Sequence, residues 1–516
     1  MSNFFKDSLK KMSDLNLVDF SKFSQRGIEK ESLRVNKSNI STSDHPEILG
    51  AALTNPYITT DFSEALLELI TAKASSVEKA LSDLKIILAY THQNIDDIVW
   101  PGSIPCAIKK ESDIRIAHYG NSNSGRLKEL YRIGLSYRYG SMMQCVSGIH
   151  YNFSLSENFF KNWQGSPSEF QTFQDKKYLN LIRNFRKNAW LLLYLFGASP
   201  VVPKTFLTNR NNFLKPLNDE DLHLENATCL RMSELGYMSK AQDDLNIAYN
   251  DLDEYISDLK HALTKKHEPY EKIGLKKGDK HIQINDSIIQ IENEYYSSIR
   301  PKRVVQSGQR PINVLKNKGI EYIEVRCLDN NPFLRGSIDK HTAYFIEAYL
   351  MVSLIDENYP FDENRIKEIQ DNWQNTVRKG RDPNLLLKRD GKTISVKDAA
   401  EEVFSKIYDY AFALPIEADD LKKKILRSLD IQKAKLRNSD LTPSGMILKE
   451  MEENNISWNE FCNNRAEANN KYFEALKKDT TNIKISSEAS LKEFQNLESS
   501  KEVDFDTFLK DYLNAI

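Results

Sequence analysis

The chain has 516 residues, 40% of them hydrophobic, which is enough to bury a sizeable core across roughly three domains' worth of polypeptide. Its 71 basic residues nearly balance 73 acidic ones, and the net charge of −2 gives no reason to expect nucleic acid or an anionic membrane as partner. The five cysteines are odd in number and form no CxxC, which argues against a disulfide framework and a zinc site and fits a reducing cytoplasm.

The N-terminal stretch MSNFFKDSLKKMSDLNLVDF carries charges throughout and has no apolar h-region. It reads as an amphipathic surface helix rather than a secretory signal. Arg26–Val35 (RGIEKESLRV) reads as a strand, with Gly27, Glu29 and Glu31 on one face. The two carboxylates then stand about 7 Å apart along the backbone. They converge on a hard cation or form paired charges facing solvent.

Thr59–Thr71 (TTDFSEALLELIT) holds Asp61, Glu64 and Glu68. A helix gathers all three on one face and a strand pairs Glu64 with Glu68, so periodicity does not choose. A strand from Leu66 onward is the expectation. In Gly148–Leu155 (GIHYNFSL), Gly148, His150, Asn152 and Ser154 share one face and Ile149, Tyr151, Phe153 and Leu155 the other. That pattern suits the floor of a polar site, although His150 taken alone is more often a hydrogen-bonded core histidine than a ligand.

Ala189–Phe196 (AWLLLYLF) is the most apolar stretch and falls far short of the roughly 18 apolar residues of a membrane span, so it predicts a buried core helix. Ile282–Glu292 predicts a strand, and so does the start of Ile288–Arg303 (IIQIENEYYSSIRPKR), which puts Gln290, Glu292, Glu294 and Tyr296 on one face ahead of a basic loop. Ile320–Leu328 (IEYIEVRCL) alternates Tyr322, Glu324 and Arg326 against a mostly apolar face. Glu324 beside Arg326 fits a surface salt bridge, and it fits a metal-ligand acid beside a phosphate-binding arginine.

Past Pro360 the character changes to long charged segments with helical periodicity. Ser395–Tyr408 carries an apolar stripe behind a Ser395 N-cap, with Asp398 three residues on. Leu421–Arg437 is basic around an apolar line of Leu421, Ile425 and Leu429, and reads as a solvated helix. Thr480–Ser500, rich in Ser, Glu, Lys and Asn, reads as a partly mobile stretch. The expected organisation is a catalytic α+β region over 1–355 and a helical region over 356–516 packed on it.

No GxxxxGK[ST], no GxGxxG after a predicted strand, no GxSxG and no HExxH occurs. Nucleotide phosphates therefore need another holder, and a carboxylate cluster carrying Mg²⁺ can provide one.

Taken in order, RGIEKESLRV, TTDFSEALLELIT, YGNSNSGRLKELYR, SGIHYNFSL, FGASP, LRMSELGY, IENEYYSSIRPKR and GIEYIEVRCLDNNPF resemble glutamate–cysteine ligase of the proteobacterial type. The resemblance covers residues 20–345 well and the helical tail poorly. It implies a glutamine-synthetase-like open antiparallel sheet forming a funnel lined with metal-binding acids. It also implies an ATP-dependent ligation of L-glutamate to L-cysteine through a γ-glutamyl phosphate, the first step of glutathione synthesis. A cytoplasmic protein is expected from the cysteines, with a monomer favoured over an oligomer. The cofactor would be Mg²⁺, with Mn²⁺ as substitute, and glutathione a feedback inhibitor.

Carried over by the resemblance, Glu29, Glu31, Asp61, Glu68, His150 and Glu324 are the metal ligands. Arg132 and Arg326 hold the transferring phosphoryl group. Tyr131, Arg231, Tyr237 and Tyr296 line the cysteine pocket, with Arg231 as carboxylate partner, and Gln144 and Asn152 contact glutamate or nucleotide. A ligase with another amine acceptor is the nearest alternative, and LRMSELGY argues against it. A bifunctional enzyme with a second ligase domain is disfavoured, because only about 160 residues follow the ligase region. A non-catalytic homologue would have lost site acids that are present here.

Overall fold

The computed structural model describes residues 3–165, 169–207, 212–238, 240–242, 245–306 and 308–516. Alternating polar and apolar residues build its central sheet. Six strands run across it: β1 (Ser24–Asn36), β2 (Ile58–Thr60), β3 (Leu66–Ile70), β4 (Gly148–Leu155), β5 (Ile299–Lys302) and β6 (Tyr322–Asp329). Their spatial order is β5-β6-β4-β1-β3-β2, and every neighbouring pair is antiparallel. Two short strands, Asn39–Ile40 and Ile98–Val99, pair with the far end of β1. The sheet is open rather than closed into a barrel, and with the surrounding helices it makes an α+β fold.

Register decides which side chains meet. Glu31 stands opposite Glu68, Glu29 opposite His150, Gly27 and Glu324 opposite Asn152, and Arg300 opposite Glu324. Directly opposed residues share a face, so all of these point the same way. The other face carries Ile28, Leu67, Leu69, Tyr151, Phe153, Ile323 and Val325, all buried. Helices Val77–Asn94 and Phe170–Asn188 pack against strands of the sheet. The Lys340–Ile355 helix is tied to the back of the sheet by Arg26, whose Nε and Nη2 donate to the Glu347 carboxylate at 2.7 and 3.1 Å, and by the Tyr151 hydroxyl at 2.7 Å.

The strand expected over Ile282–Glu292, and its continuation to Tyr296, is absent: no strand forms until Ile299, and Glu292–Glu294 is a 3₁₀ turn. Side chains take the backbone groups that a ladder would use. Gln290 Oε1 accepts from the Ile284 amide, Glu294 Oε2 from the Gln290 amide, and Asn285 Nδ2 donates to the Gln290 carbonyl. Gln290, Glu292, Glu294 and Tyr296 accordingly do not form one strand face.

The N-terminal helix Asn3–Asp14 buries Phe5, Leu9 and Met12. Trp190–Phe196 is helical and buried throughout. Among the described residues no helix is long and apolar enough to cross a membrane. Beyond residue 356 the chain is mainly helical, interrupted by the hairpin Leu386–Arg389/Lys392–Ser395. Ser395 caps the helix Val396–Phe412 by accepting from the Asp398 amide, and Leu421, Ile425 and Leu429 are buried. One hydrophobic cluster runs from Phe5 to Ile483, so these helices share the core of the sheet. Thr480–Ser500 is not a loose stretch: Thr481–Glu498 is a helix, and Ser487 and Ser490 pin it to the backbone at Leu49 and Ala51.

Candidate active site

The polar face of the sheet floors a cavity of ≈ 400 Å³. Every residue expected at the site lines it except Asn152. Asn152 donates its amide to Glu29 Oε1 at 2.8 Å and so reaches the cavity through that carboxylate.

At the centre, Glu29, Glu68 and His150 bring ligand atoms within 4.8 Å of one another. His150 Nδ1 lies 3.0 Å from Glu29 and 3.6 Å from Glu324, and its Nε2 lies 3.5 Å from Glu31. Glu31 is fixed by the Gly148 amide at 2.8 Å. Asp61 sits on the rim beyond β2, half-exposed, 3.8 Å from Arg132 Nη2.

Burial pushes the Glu68 carboxyl well above the ordinary carboxylate range, and the charges of Glu29, Asp61 and Glu31 push it further. Burial also raises Glu31, with Asp61 adding to it. At Glu324 burial is outweighed: Arg326, Lys302 and His150 hold its carboxyl well below the usual range. Burial is outweighed at Glu29 too, by the hydrogen bond with His150, which keeps that carboxyl low. Acids of opposite tendency thus share one cavity, an arrangement that active sites use to separate the roles of neighbouring carboxyls.

Arg326 is oriented on two sides, with Nη1 donating to Glu324 at 2.7 Å and Nε to the Tyr237 hydroxyl at 2.9 Å. Arg132 donates Nε to the Asp61 carbonyl and lies 4.5 Å over the Tyr119 ring. Tyr237 and Tyr296 meet edge-to-face with centroids 4.5 Å apart, and Gln144 donates to the Tyr296 hydroxyl at 3.3 Å. Arg231 is buried, its Nε donating to Asp329 at 2.7 Å and its Nη2 to the Leu328 carbonyl at 2.9 Å. A carboxylate within the protein therefore already engages it. Its guanidinium lies so close over Gly148 that an added Cβ would sit 2.9 Å from Cζ, which is why this strand begins with glycine.

Lys128, Arg300 and Lys302 also line the cavity and were not among the expected residues. Lys302 Nζ lies 3.6 Å from Glu324. Burial and the charge of Arg132 push Lys128 down to about 8. Lys128 had a legible signal: it precedes Tyr131 and Arg132 by three and four residues, one helical face. The helix Asn123–Tyr139 presents all three. Gly134 on this helix allows close approach of Gln290, since a Cβ there would sit 2.1 Å from Oε1.

Known proteins resemble this chain in sequence and fold. The family model described as glutamate-cysteine ligase matches residues 9–376. A glutamate–cysteine ligase of Janthinobacterium sp. (strain Marseille) is 40% identical over 99% of this chain and 98% of its own. One from Pseudomonas aeruginosa (strain UCBPP-PA14) is 42% identical over 95% and 94%. The crystal structure of glutamate–cysteine ligase from Francisella tularensis in complex with AMP superposes with a TM-score of 0.89 at 37% identity, covering 96% of this chain and 98% of that one. A bifunctional glutathione synthetase from Pasteurella multocida, 22% identical with a TM-score of 0.69 over 92% of this chain and 57% of its own, shares the fold. With the family model matched over most of its length and relatives aligned almost end to end, this chain belongs to the glutamate–cysteine ligase family.

Proposed function

We infer that the chain catalyses ATP-dependent joining of the γ-carboxylate of L-glutamate to the amine of L-cysteine, giving γ-glutamylcysteine, ADP and phosphate. A carboxylate does not react directly with an amine at neutral pH. A γ-carboxylate oxygen attacks the γ-phosphorus of ATP and ADP leaves. The cysteine amine then attacks the acyl carbon of the γ-glutamyl phosphate, phosphate departs with that oxygen, and the amine loses a proton.

The chain's own part is placement and electrostatics. Arg326, fixed by Glu324 and Tyr237, and Arg132, fixed by the Asp61 carbonyl, offer guanidinium charge to the equatorial oxygens in flight. Tyr131, Tyr237, Tyr296 and Gln144 wall the acceptor side.

The donor set fits Mg²⁺, or Mn²⁺ in its place. It is rich in carboxylate oxygens, and Glu324 Oε2 is buried without a hydrogen-bond partner. Glu29, Glu68 and His150 would hold the ion, with Glu31, Glu324 and Asp61 around them. When bound, it neutralises charge on the β- and γ-phosphates. Glutathione contains the product's own γ-glutamylcysteine unit and is proposed as a feedback inhibitor. We take the enzyme to be a cytoplasmic monomer.

The observation that carries this reading is the carboxylate row of Glu29, Glu31 and Glu68 facing Arg132 and Arg326 across one cavity. The test is ADP release with Mg-ATP and glutamate, with and without cysteine, 2-aminobutyrate or simple amines, and the product identified by mass. Fastest turnover with cysteine supports it; turnover confined to another amine overturns the acceptor.

A further inference from the structure

The family match ends at residue 376, yet the last helix of the chain, Phe505–Asn514, reaches the catalytic cavity. Tyr512 lines it together with Leu127, Tyr131, Ile284 and Ile291. Phe505 and Leu509 of that helix form a small hydrophobic cluster with Leu130 and Ile284, separate from the main core, and Tyr131 packs against it. Tyr512 is held from outside. Arg310, locked by Glu292 through bonds of 3.1 and 2.9 Å, lies 4.4 Å over the Tyr512 ring and donates to its carbonyl.

The same segment also grips the helix that carries Lys128, Tyr131 and Arg132. The first backbone amides of a helix have no partner within it. Here Glu502 accepts from the Asn123 amide at 2.6 Å, and Glu498 from the Asn121 and Ser122 amides just ahead of the helix, each at 2.8 Å. Both carboxylates also oppose the positive end of the helix dipole. Lys276 and His281 hold Asp506 at 3.3 and 2.8 Å.

We propose that the segment Glu498–Ile516 is a working part of the acceptor side of the site, with Tyr512 as the wall that limits the size of the amine side chain and Glu498 and Glu502 as positioning residues acting through the Asn123–Tyr139 helix. The proposal rests on the acceptor role given to Tyr131 above. Leu127, Ile284, Ile291 and the Tyr512 ring make an apolar surface at this wall, suited to a short uncharged side chain such as CH₂SH. Apolar pockets discriminate by roughly 10–200-fold per methylene, so removing one wall relaxes preference for size without touching the phosphoryl chemistry.

The experiment measures kcat/KM of the full-length enzyme for cysteine, 2-aminobutyrate, norvaline and norleucine, in wild type, Tyr512→Ala and Tyr512→Phe. Tyr512→Ala should raise the ratio of norleucine to cysteine at least about tenfold, with KM for ATP unchanged, while Tyr512→Phe stays near wild type. An unchanged size preference in a folded Tyr512→Ala protein overturns the proposal, as does an effect confined to KM for ATP. Should Tyr512→Ala fail to fold, Glu498→Gln/Glu502→Gln decides. The tail should become more open to protease and KM for cysteine should rise; a loosened tail with unchanged KM for cysteine overturns the proposal. Wild type alone tests whether cysteine is the acceptor, so failure of that reading is seen before any variant is made.

Discussion

Glu31 and Glu68 stand directly opposite each other on neighbouring antiparallel strands, two carboxylates at a position where like charges destabilise a sheet. Glu29 lies two residues along β1 on the same face. The protein retains a locally unfavourable arrangement, as functional sites do. Glu68→Gln should therefore stabilise the metal-free protein by about 1 kcal/mol. Its Tm should rise while the further rise caused by Mg²⁺ disappears. Thermal unfolding with EDTA and with Mg²⁺ checks this, and a lower metal-free Tm would contradict it.

Glu324 is the hub where the acids meet the cations, touching Arg326 at 2.7 Å and lying 3.6 Å from both Lys302 and His150. Glu324→Gln should abolish turnover and weaken Mg²⁺ dependence while leaving the circular dichroism spectrum unchanged. Near wild-type kcat in this variant would remove Glu324 from the machinery.

Arg326 is expected to act on the transition state rather than on ATP binding. Arg326→Ala should lower kcat by roughly 10²–10³, the range for losing one preorganised donor. An unchanged kcat with a raised KM for ATP would assign it to ground-state binding.

On the back of the sheet, Arg26, Glu347 and Tyr151 form a buried charge cluster away from the cavity. Glu347→Ala leaves a buried guanidinium unpaired and should cost about 3–5 kcal/mol of stability. Denaturant unfolding should show the loss, while the kcat of the folded protein stays near wild type.

His92 and His45 are pushed down to about 4 by burial, with Arg34 adding to the effect at His45. His92 stacks on Phe473 and bonds Asn470 at 2.9 Å, joining the Val77–Asn94 helix to the helical tail. Between pH 6.5 and 4 the unfolded chain binds protons that the folded chain refuses. Stability is therefore complete above about pH 6.5 and falls as pH drops towards 4, by on the order of 3 kcal/mol for each histidine. His92→Gln should flatten the slope of unfolding free energy against pH in this window; an unaltered slope would mean His92 does not contribute.

The strands that floor the site are legible as alternation. In Gly148–Leu155 and Ile320–Leu328 a polar face alternates with an apolar or mostly apolar one, in Arg26–Val35 Gly27, Glu29 and Glu31 share a face, and strands formed at all three. Which site residue faces which depends on register between residues far apart in the chain, such as Glu31 with Glu68 and Glu29 with His150, and no local pattern encodes that. Ile282–Glu292 misled because its alternation is real, but Gln290 and Glu294 bind backbone amides and fold the segment back on itself. Lys302 looked like part of a basic loop and lies on β5 opposite Tyr322, with its Nζ 3.6 Å from Glu324. Tyr512 carried no signal at all, since its place in the cavity depends on the tail docking against the Asn123–Tyr139 helix.

If glutamate is activated as an acyl phosphate within this carboxylate and arginine cavity, one of its γ-carboxylate oxygens leaves with the phosphate. The most direct measurement supplies glutamate labelled with ¹⁸O in the γ-carboxylate, Mg-ATP and cysteine, and reads the released phosphate by mass. One ¹⁸O per phosphate, formed in step with γ-glutamylcysteine, is the predicted result; unlabelled phosphate alongside the same product would contradict the account.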